Sequence, residues 1–167
     1  MKKIIGLILI ILLAGCSFVM PDDTEFMQVV KNLDTPEKIG NYMSENFEYD
    51  SDYLMNISKN SHRYEMAYNL WETKKGICIE FANFGMFVAN YHGYETYIAI
   101  IYFYESITDF SHAIAIYKEN GEYNYSDNRI YFLSKADKFK DIIDNYPGVE
   151  IYRIYDYDGN LTEEKVN

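Results

Sequence analysis

The chain reads Gly76-Ile77-Cys78-Ile79-Glu80-Phe81-Ala82 at the point where its sequence becomes helical. Small and apolar residues recur at helical spacing from Cys78 to His92-Gly93, and a glycine there is typical of a helix C-terminus. Because Gly76 breaks the preceding pattern, the spacing predicts that Cys78 lies at the N-terminus of a helix. A thiol in that position meets the positive end of the helix dipole and unpaired backbone N–H groups, which favour the thiolate and can stabilise an oxyanion. Glu80, in the same turn, is well placed to complement the helix end.

Helical segments precede this stretch and β-rich segments follow it. The residue patterns predict helices over residues 22–33, 34–47 and 62–73. They predict strands over 96–104, 111–117, 122–127 and 149–155, with a short helix over 134–146. Helices first and antiparallel strands afterwards indicate an α+β fold.

One predicted hairpin relates a histidine to an aspartate. Asn120-Gly121 is a strong signal for a two-residue turn. The register that follows places Ile114 opposite Asp127 and His112 opposite Arg129. Since His112 and Ile114 share one face of their strand, Asp127 becomes the diagonal neighbour of His112 on that face, within reach of its ring.

Cys78, His112 and Asp127 therefore form a possible set of nucleophile, base and orienting group. In this interpretation Asp127 holds His112 in the right tautomer, and His112 keeps Cys78 ionised or supplies protons. The alternative is structural: a buried cysteine acting as a small hydrophobe, a core histidine and an aspartate at a strand end. Two strand residues lie on the same face of a sheet by chance about half the time, so the pattern leaves the catalytic and the structural interpretation open.

Three segments resemble the transglutaminase-like superfamily. Residues 76–82 are similar to its Gly-x-Cys-x-Asp/Glu-aromatic-Ala segment. Ser111-His112-Ala113 resembles its His-Ala segment, and Tyr125-Ser126-Asp127-Asn128 resembles the strand that ends in its catalytic aspartate. The resemblance covers roughly residues 64–128. It implies a papain-like core, with the nucleophile at a helix N-terminus packed on an antiparallel sheet, and it implies catalytic roles for Cys78, His112 and Asp127.

The chain departs from the family pattern in three places. Ile114 stands where many members have tryptophan, and Asn128 stands where many members have the proline of an Asp-Pro pair. The Asp127-Asn128 pair is closer to that of the bacterial transglutaminase-like cysteine peptidases. The acidic pair that those enzymes carry after the cysteine, sometimes linked to calcium, is reduced to Ile79-Glu80. We therefore expect no metal site and no cofactor.

The N-terminal residues read as a targeting signal. Lys2 and Lys3 precede an apolar run over residues 4–14, which is shorter than the roughly 20 residues that span a bilayer. The run ends in Leu13-Ala14-Gly15-Cys16, which resembles the lipobox of bacterial lipoproteins. We expect a signal peptide over residues 1–15, lipidation of Cys16, a short tether over 16–21 and one domain over 22–167. The alternative is an ordinary signal peptide with a chance cysteine.

Charge and cysteine count narrow the function further. Lys+Arg 15 against Asp+Glu 26 gives a net charge of −11, which excludes the basic footprint of a nucleic-acid-binding protein. Anionic lipid would also repel the domain, so membrane attachment has to come from the lipid anchor. If Cys16 is lipidated, Cys78 is the one remaining thiol and no internal disulfide can form. The 3 histidines are scattered, which gives no zinc pattern.

Two further aromatic residues are weaker candidates. Trp71 precedes Cys78 by seven residues and could line a substrate cleft or help an oxyanion site, and Tyr64 is a similar case. Both lie on a periodic helix, where an aromatic residue is more often part of the core. The segment 156–160 contains half of a calcium loop without its distal acid, and a hairpin turn is expected there.

These observations lead to one functional hypothesis and one alternative. We expect a monomeric, membrane-anchored cysteine peptidase, amidase or transglutaminase-type acyltransferase on the extracytoplasmic face of a bacterial cell membrane. Its Cys78 thiolate would attack an amide carbonyl of a protein or peptide and form a thioester, which water or an amine releases. The alternative is an inactive scaffold that binds a peptide or an envelope partner.

Overall fold

The computed structural model describes residues 23–50, 63–104 and 111–166. The predicted signal peptide, Cys16 and the tether lie outside these ranges. The described residues form five helices: α1 (Thr24–Asn32), α2 (Pro36–Asn46), α3 (Arg63–Thr73), α4 (Cys78–Tyr91) and α5 (Phe139–Ile143). They also form eight strands: β1 (Glu48–Tyr49), β2 (Lys75–Gly76), β3 (Glu95–Phe103), β4 (Ser111–Glu119), β5 (Glu122–Asp127), β6 (Ile130–Ala136), β7 (Val149–Asp156) and β8 (Leu161–Val166).

The first helices begin where side chains can satisfy their free N–H groups. The Asp23 carboxylate accepts hydrogen bonds from the backbone N–H groups of Glu25 and Phe26 at 2.9 and 3.0 Å. Thr35 accepts from the N–H of Lys38 at 3.2 Å, and Pro36 follows it as the first helical residue. These caps hold the starts of α1 and α2 close to their predicted positions.

A six-stranded antiparallel sheet in the order β6-β5-β4-β3-β7-β8 carries the second half of the chain. The predicted hairpin register is confirmed, because Ile114 pairs with Asp127 and Glu119 pairs with Glu122. Helices α1 to α4 cover one face of the sheet and the short α5 covers the other, so each face has its own apolar core. The mixture of helices with an antiparallel sheet confirms the α+β class.

Helix α4 packs very closely on β4. A Cβ atom at Gly85 would collide with the hydroxyl of Tyr117 and would lie 3.4 Å from the Cβ of Ala115. Only glycine allows this approach, which fixes the helix against the strand that carries His112. Tyr117 is fully buried at the contact and donates to the hydroxyl of Ser126 on β5 at 3.1 Å.

The helix predicted over 134–146 is wrong in its first part. Residues up to Ala136 continue strand β6, and α5 begins only at Phe139. Side chains prolong the pairing with β5, since Ser134 donates to the carbonyl of Tyr123 at 2.7 Å and Asn124 accepts from the N–H of Lys135 at 2.9 Å. Pairing with β5 therefore determines the structure of residues 134–136, against their local helical pattern.

Arg129 is also misplaced by the predicted register. The chain turns at Asn128 instead of continuing the ladder, so Arg129 does not stand opposite His112. Its guanidinium donates to the carbonyl of Phe47 at 3.0 Å and ties the β5–β6 turn to the end of α2.

Besides β6, the three strands β1, β2 and β8 have no counterpart in the predictions. The edge strand β8 is rich in charge and lies on β7, and the short β1 and β2 pair in parallel. The expected turn after β7 is present, because Asp156 accepts from the N–H of Asn160 at 2.8 Å and Gly159 adopts a φ of +88°. Among the helices of the described ranges, none is both long and apolar enough to cross a bilayer.

Candidate active site

The nucleophile candidate Cys78 is the first residue of α4, as the sequence predicts. Residue Ile77 adopts an extended conformation before it, and the N–H groups of Glu80 and Phe81 already bond to the Ile77 carbonyl at 2.9 and 3.1 Å. The N–H of Cys78, at the first helical position, has no acceptor within the helix. The thiol thus lies beside the free N–H groups of a helix N-terminus, and Cys78 itself is half-buried.

Glu80 holds this helix start in place from inside the protein. One of its carboxylate oxygens accepts from the N–H of Ile77 at 3.0 Å and the other accepts from the side-chain amide of Asn69 at 2.8 Å. Only 1% of the Glu80 surface is exposed. Burial raises the pKa of Glu80, and the two hydrogen bonds partly oppose that rise. The carboxylate is therefore a structural cap, consistent with its expected role at the helix end.

Gly76 makes room for that cap. A Cβ atom at this position would lie 2.6 Å from a carboxylate oxygen of Glu80 and 2.8 Å from a methyl group of Leu70. Both distances are shorter than any ordinary contact, so the glycine of the opening motif is required by the close approach of Glu80.

His112 and Asp127 lie on the same face of the sheet and contact each other. The Nε2 atom of His112 is 2.8 Å from an Oδ atom of Asp127. Both side chains are partly shielded, with 15% of the His112 side chain and 26% of the Asp127 side chain exposed. The diagonal relation expected from the hairpin thus becomes a direct hydrogen bond.

Two other residues fix the Asp127 carboxylate. The hydroxyl of Tyr146, in the turn after α5, donates to the second oxygen of Asp127 at 2.8 Å. The side-chain amide of Asn128 donates to the first oxygen at 3.1 Å. Asn128 has a φ of +48°, which a proline ring fixed near −65° cannot adopt. The Asp-Pro pair seen in many members of the resembling family would not fit this turn.

Cys78 completes the chain of contacts through the histidine ring. The body of α4 covers the sheet face of Ala113 and Ala115, opposite to the face of His112. At the end of the strand, however, the Cys78 side chain comes close enough to the His112 ring to interact with it. Because Nε2 is used by Asp127, the Nδ1 atom is the one left for the thiol.

The electrostatics favour a charged histidine. Burial of the ring opposes its charge, but the hydrogen bonds and charges of Asp127 and Cys78 outweigh burial and raise the pKa of His112 to about 9. Burial likewise opposes ionisation of Asp127, but its hydrogen bond to His112, the charge of that ring and the Tyr146 hydroxyl together lower its pKa. At neutral pH the arrangement is suited to an imidazolium beside the Asp127 carboxylate.

Trp71 and Tyr64 belong to the aromatic core on the α1–α4 side. Trp71 packs on Phe26 with ring centroids 5.4 Å apart and lies close to the Tyr42 hydroxyl. Tyr64 is only 4% exposed and packs edge-on against Phe26 and Phe87. The indole group of Trp71 thus packs within this core, whereas Tyr64 also reaches the wall of a nearby cavity.

That cavity reaches α4 at the residue after the nucleophile candidate, and Cys78, His112 and Asp127 do not line it. It has a volume of about 570 Å³ and opens next to Ile79, the residue after Cys78. Its apolar walls come from α3, α4, β3 and β7, including Tyr64, Met66, Ile79, Ile98, Ile100 and Tyr155. The Arg63 guanidinium at its edge is already bonded to Asn83 at 2.9 Å and to two backbone carbonyls. The cavity therefore offers mainly apolar contact.

The sequence did not single out Tyr146 or Tyr49, which both contact this site. The Tyr49 hydroxyl, on β1, lies close enough to the backbone N–H of Cys78 to interact with it. Neither residue belongs to a motif, and 18 tyrosines in one chain hide any individual one. Within the ranges that the structure describes, no group of three His, Cys, Asp or Glu side chains could hold a metal ion.

Comparison with known proteins identifies the family of the chain. A family model described as a transglutaminase-like domain matches residues 24–155. Among solved structures, a candidate cysteine protease from Cytophaga hutchinsonii is similar to this chain at 14% identity with a TM-score of 0.48, covering 86% of this chain and 50% of that one. The chain thus spans about half the length of that protein. A comparison with curated proteins finds no significant match. Because the family match extends over most of the chain, the protein belongs to the family of transglutaminase-like domains.

Proposed function

We propose that the protein is a cysteine hydrolase or acyltransferase that acts on amide bonds of a protein or peptide. The observation that carries the proposal is the hydrogen bond between His112 and Asp127, with Cys78 at a helix N-terminus close enough to interact with the same ring. Membership of the transglutaminase-like family supports it. A buried structural cysteine would need neither a histidine at its thiol nor a carboxylate behind that histidine.

The proposed reaction proceeds by acyl transfer to the thiol. The Cys78 thiolate attacks the carbonyl carbon, the C–S bond forms and the carbonyl electrons move to oxygen. The helix N-terminus stabilises that oxyanion. As the C–N bond breaks, the His112 imidazolium gives its proton to the leaving amine. His112 then takes a proton from water, which hydrolyses the thioester, or from an amine, which accepts the acyl group. Hydrolysis is our first choice and transfer to an amine the second.

An apolar group of the substrate fits the cavity that Ile79 lines. The cavity beside Ile79 is walled by isoleucine, methionine and tyrosine side chains, and its arginine is occupied by protein acceptors. We therefore propose that an aliphatic or aromatic side chain next to the scissile amide binds there. An ester with a hexanoyl group should acylate Cys78 faster than the corresponding glutaryl ester, and Ile79→Asp should remove that preference.

We also propose that the domain works at a membrane surface. The support is the sequence Leu13-Ala14-Gly15-Cys16 after a short apolar run. Mass spectrometry of the exported protein should find an N-terminal Cys16 that carries lipid. A free Cys16 thiol, or cleavage at another bond, would contradict the proposal.

The proposed activity is tested by trapping the thioester. The full chain with Cys16→Ser leaves Cys78 as the one thiol, so an acyl adduct that p-nitrophenyl acetate forms in this chain and that is lost in Cys78→Ala lies on that residue. Intact mass measurement should show one acetyl group, which water slowly removes and an added primary amine removes faster if the enzyme is an acyltransferase. Cys78→Ala is the control. A folded protein that never acquires the acetyl group would favour the inactive scaffold.

A further inference from the structure

Tyr49 is held beside the start of α4 by backbone pairing. It stands opposite Gly76 in the parallel pair of β1 and β2. The N–H of Glu48 donates to the carbonyl of Lys74 at 2.8 Å, and the N–H of Asp50 donates to the carbonyl of Gly76 at 2.9 Å. Two backbone hydrogen bonds thus flank Tyr49 and fix its position next to the residues that lead into Cys78.

The tyrosine ring lies flat on the first turn of the helix. Its centroid is 6.3 Å from that of Phe81 and the two rings are nearly parallel, at 11°. Phe81 follows Cys78 by three residues, so the two share one side of α4. Tyr49 is still 47% exposed, so a substrate can reach this ring from solvent.

The hydroxyl end of Tyr49 lies against the backbone of the nucleophile. Its oxygen lies close enough to the N–H of Cys78 to interact with it, and that N–H has no acceptor within the helix. Partial burial and the charge of Cys78 raise the pKa of Tyr49, so the phenol keeps its proton. The Tyr49 hydroxyl next to the N–H of Cys78 is therefore uncharged and can donate a hydrogen bond.

We propose that Tyr49 is a catalytic residue that donates a hydrogen bond to the substrate oxygen as it becomes an oxyanion. This inference rests on the proposed function. When the C–S bond forms, the carbonyl electron pair moves to oxygen, and that oxygen accepts from the N–H of Cys78 and the O–H of Tyr49. Both protons remain on their donors. When the C–N bond breaks, the electron pair returns to the carbonyl and the leaving amine takes its proton from His112.

Two reactions of Cys78 separate this role from that of a residue that only controls the ionisation of the thiol. Alkylation of a thiolate by iodoacetamide displaces iodide from a CH₂ group and develops no oxyanion. Acylation by an ester passes through an oxyanion at the same sulfur. An oxyanion donor therefore affects the second reaction and leaves the first nearly unchanged, whereas a residue that controls the thiolate affects both.

The test compares these two reactions in the Cys16→Ser chain and in its Tyr49→Phe variant. Phenylalanine keeps the stacking on Phe81 and removes only the hydroxyl. The rate of acylation by p-nitrophenyl acetate should fall about 10- to 100-fold. This loss is at or below the one that removal of a single oxyanion donor causes in other enzymes. Iodoacetamide alkylation should change less than about twofold. Tyr91→Phe is the matched control, because Tyr91 is exposed at the far end of the same helix and should change neither rate.

Three results would overturn the inference. An equal loss in both reactions would make Tyr49 a structural neighbour of the thiolate. Unchanged acylation would show that its hydroxyl takes no part. Faster acylation would mean that the phenol only blocks the N–H of Cys78. Each of these leaves the proposed function intact, whereas a parent protein that is never acylated would overturn both.

Discussion

The two halves of the candidate site are built by different means. The nucleophile half is local: Gly76, Cys78 and Glu80 belong to one helix start, and capping hydrogen bonds hold them. The base half joins distant segments, because His112 and Asp127 come from a hairpin and Tyr146 comes from a turn after α5. We therefore expect damage to the first half to appear mainly as lost stability, and damage to the second as lost rate.

The largest effect should come from removing the base. His112→Ala takes away the ring that bonds to Asp127 and lies close to Cys78. Acylation of Cys78 by p-nitrophenyl acetate should fall about 10²- to 10⁴-fold, the usual contribution of a positioned acid–base group. Stopped-flow release of p-nitrophenol measures it. His92→Ala, on a ring that contacts the Val30 carbonyl, is the control, and a loss of less than about threefold in His112→Ala would contradict this role.

The base half should also make stability depend on pH. The folded-state pKa of His112 is about 9, above its unfolded value of 6.5. The charged ring therefore stabilises the fold fully below pH 6.5, and this contribution is lost as the pH rises towards 9. The loss should amount to at most about 3 kcal/mol. Urea unfolding at both pH values measures it, and His112→Gln should show a much smaller difference. Equal pH dependence in the two proteins would exclude a charged, paired His112.

The nucleophile half should respond to crowding at Gly76. Gly76→Ala places a methyl group 2.6 Å from Glu80 and 2.8 Å from Leu70, so the helix start has to shift. We expect a loss of about 1–3 kcal/mol in the free energy of unfolding, as for other overpacked sites. Chemical denaturation measures the change. Lys75→Ala, on the exposed neighbour, should cost less than about 0.5 kcal/mol, and an equally small cost for Gly76→Ala would contradict the close approach.

The smallest effect should come from the residue that holds the base half at its far end. Tyr146→Phe keeps the ring near His112 and removes the hydrogen bond to Asp127. Acylation should slow about 3- to 10-fold, equivalent to roughly 1 kcal/mol. Because the hydroxyl helps to lower the pKa of Asp127, the acid limb of the rate profile should move to higher pH. A slower variant with an unmoved limb would show that Tyr146 supports the fold and does not position Asp127.

The same contrast explains how much could be read from the sequence. The start of α4 at Cys78 and the capping position of Glu80 follow from neighbouring residues, so local patterns reveal them. The closeness of His112 to Asp127 follows from one turn, since Asn120-Gly121 sets the register of the whole hairpin. Where a feature depends on a few adjacent residues, the sequence predicts it.

Features that depend on tertiary packing could not be predicted in this way. Residues 134–136 continue β6 because side chains of β5 residues and their carbonyls bond to them, which no local pattern contains. Arg129 leaves the ladder because Asn128 turns the chain with a positive φ. Tyr49 and Tyr146 reach the site from segments whose place in the fold was not predicted. Their partners, not their neighbours in sequence, define what they do.

The most direct test of the account is the pH dependence of Cys78 alkylation. In the Cys16→Ser chain, iodoacetamide reports on Cys78 alone, and the reacting species is the thiolate. The account predicts rapid labelling at about pH 6, lost or moved to alkaline pH in His112→Ala and weakened less in Asp127→Ala, because Asp127 orients the base without touching the thiol. Slow labelling of the folded protein at pH 6, unaffected by His112→Ala, would contradict the account and favour the inactive scaffold.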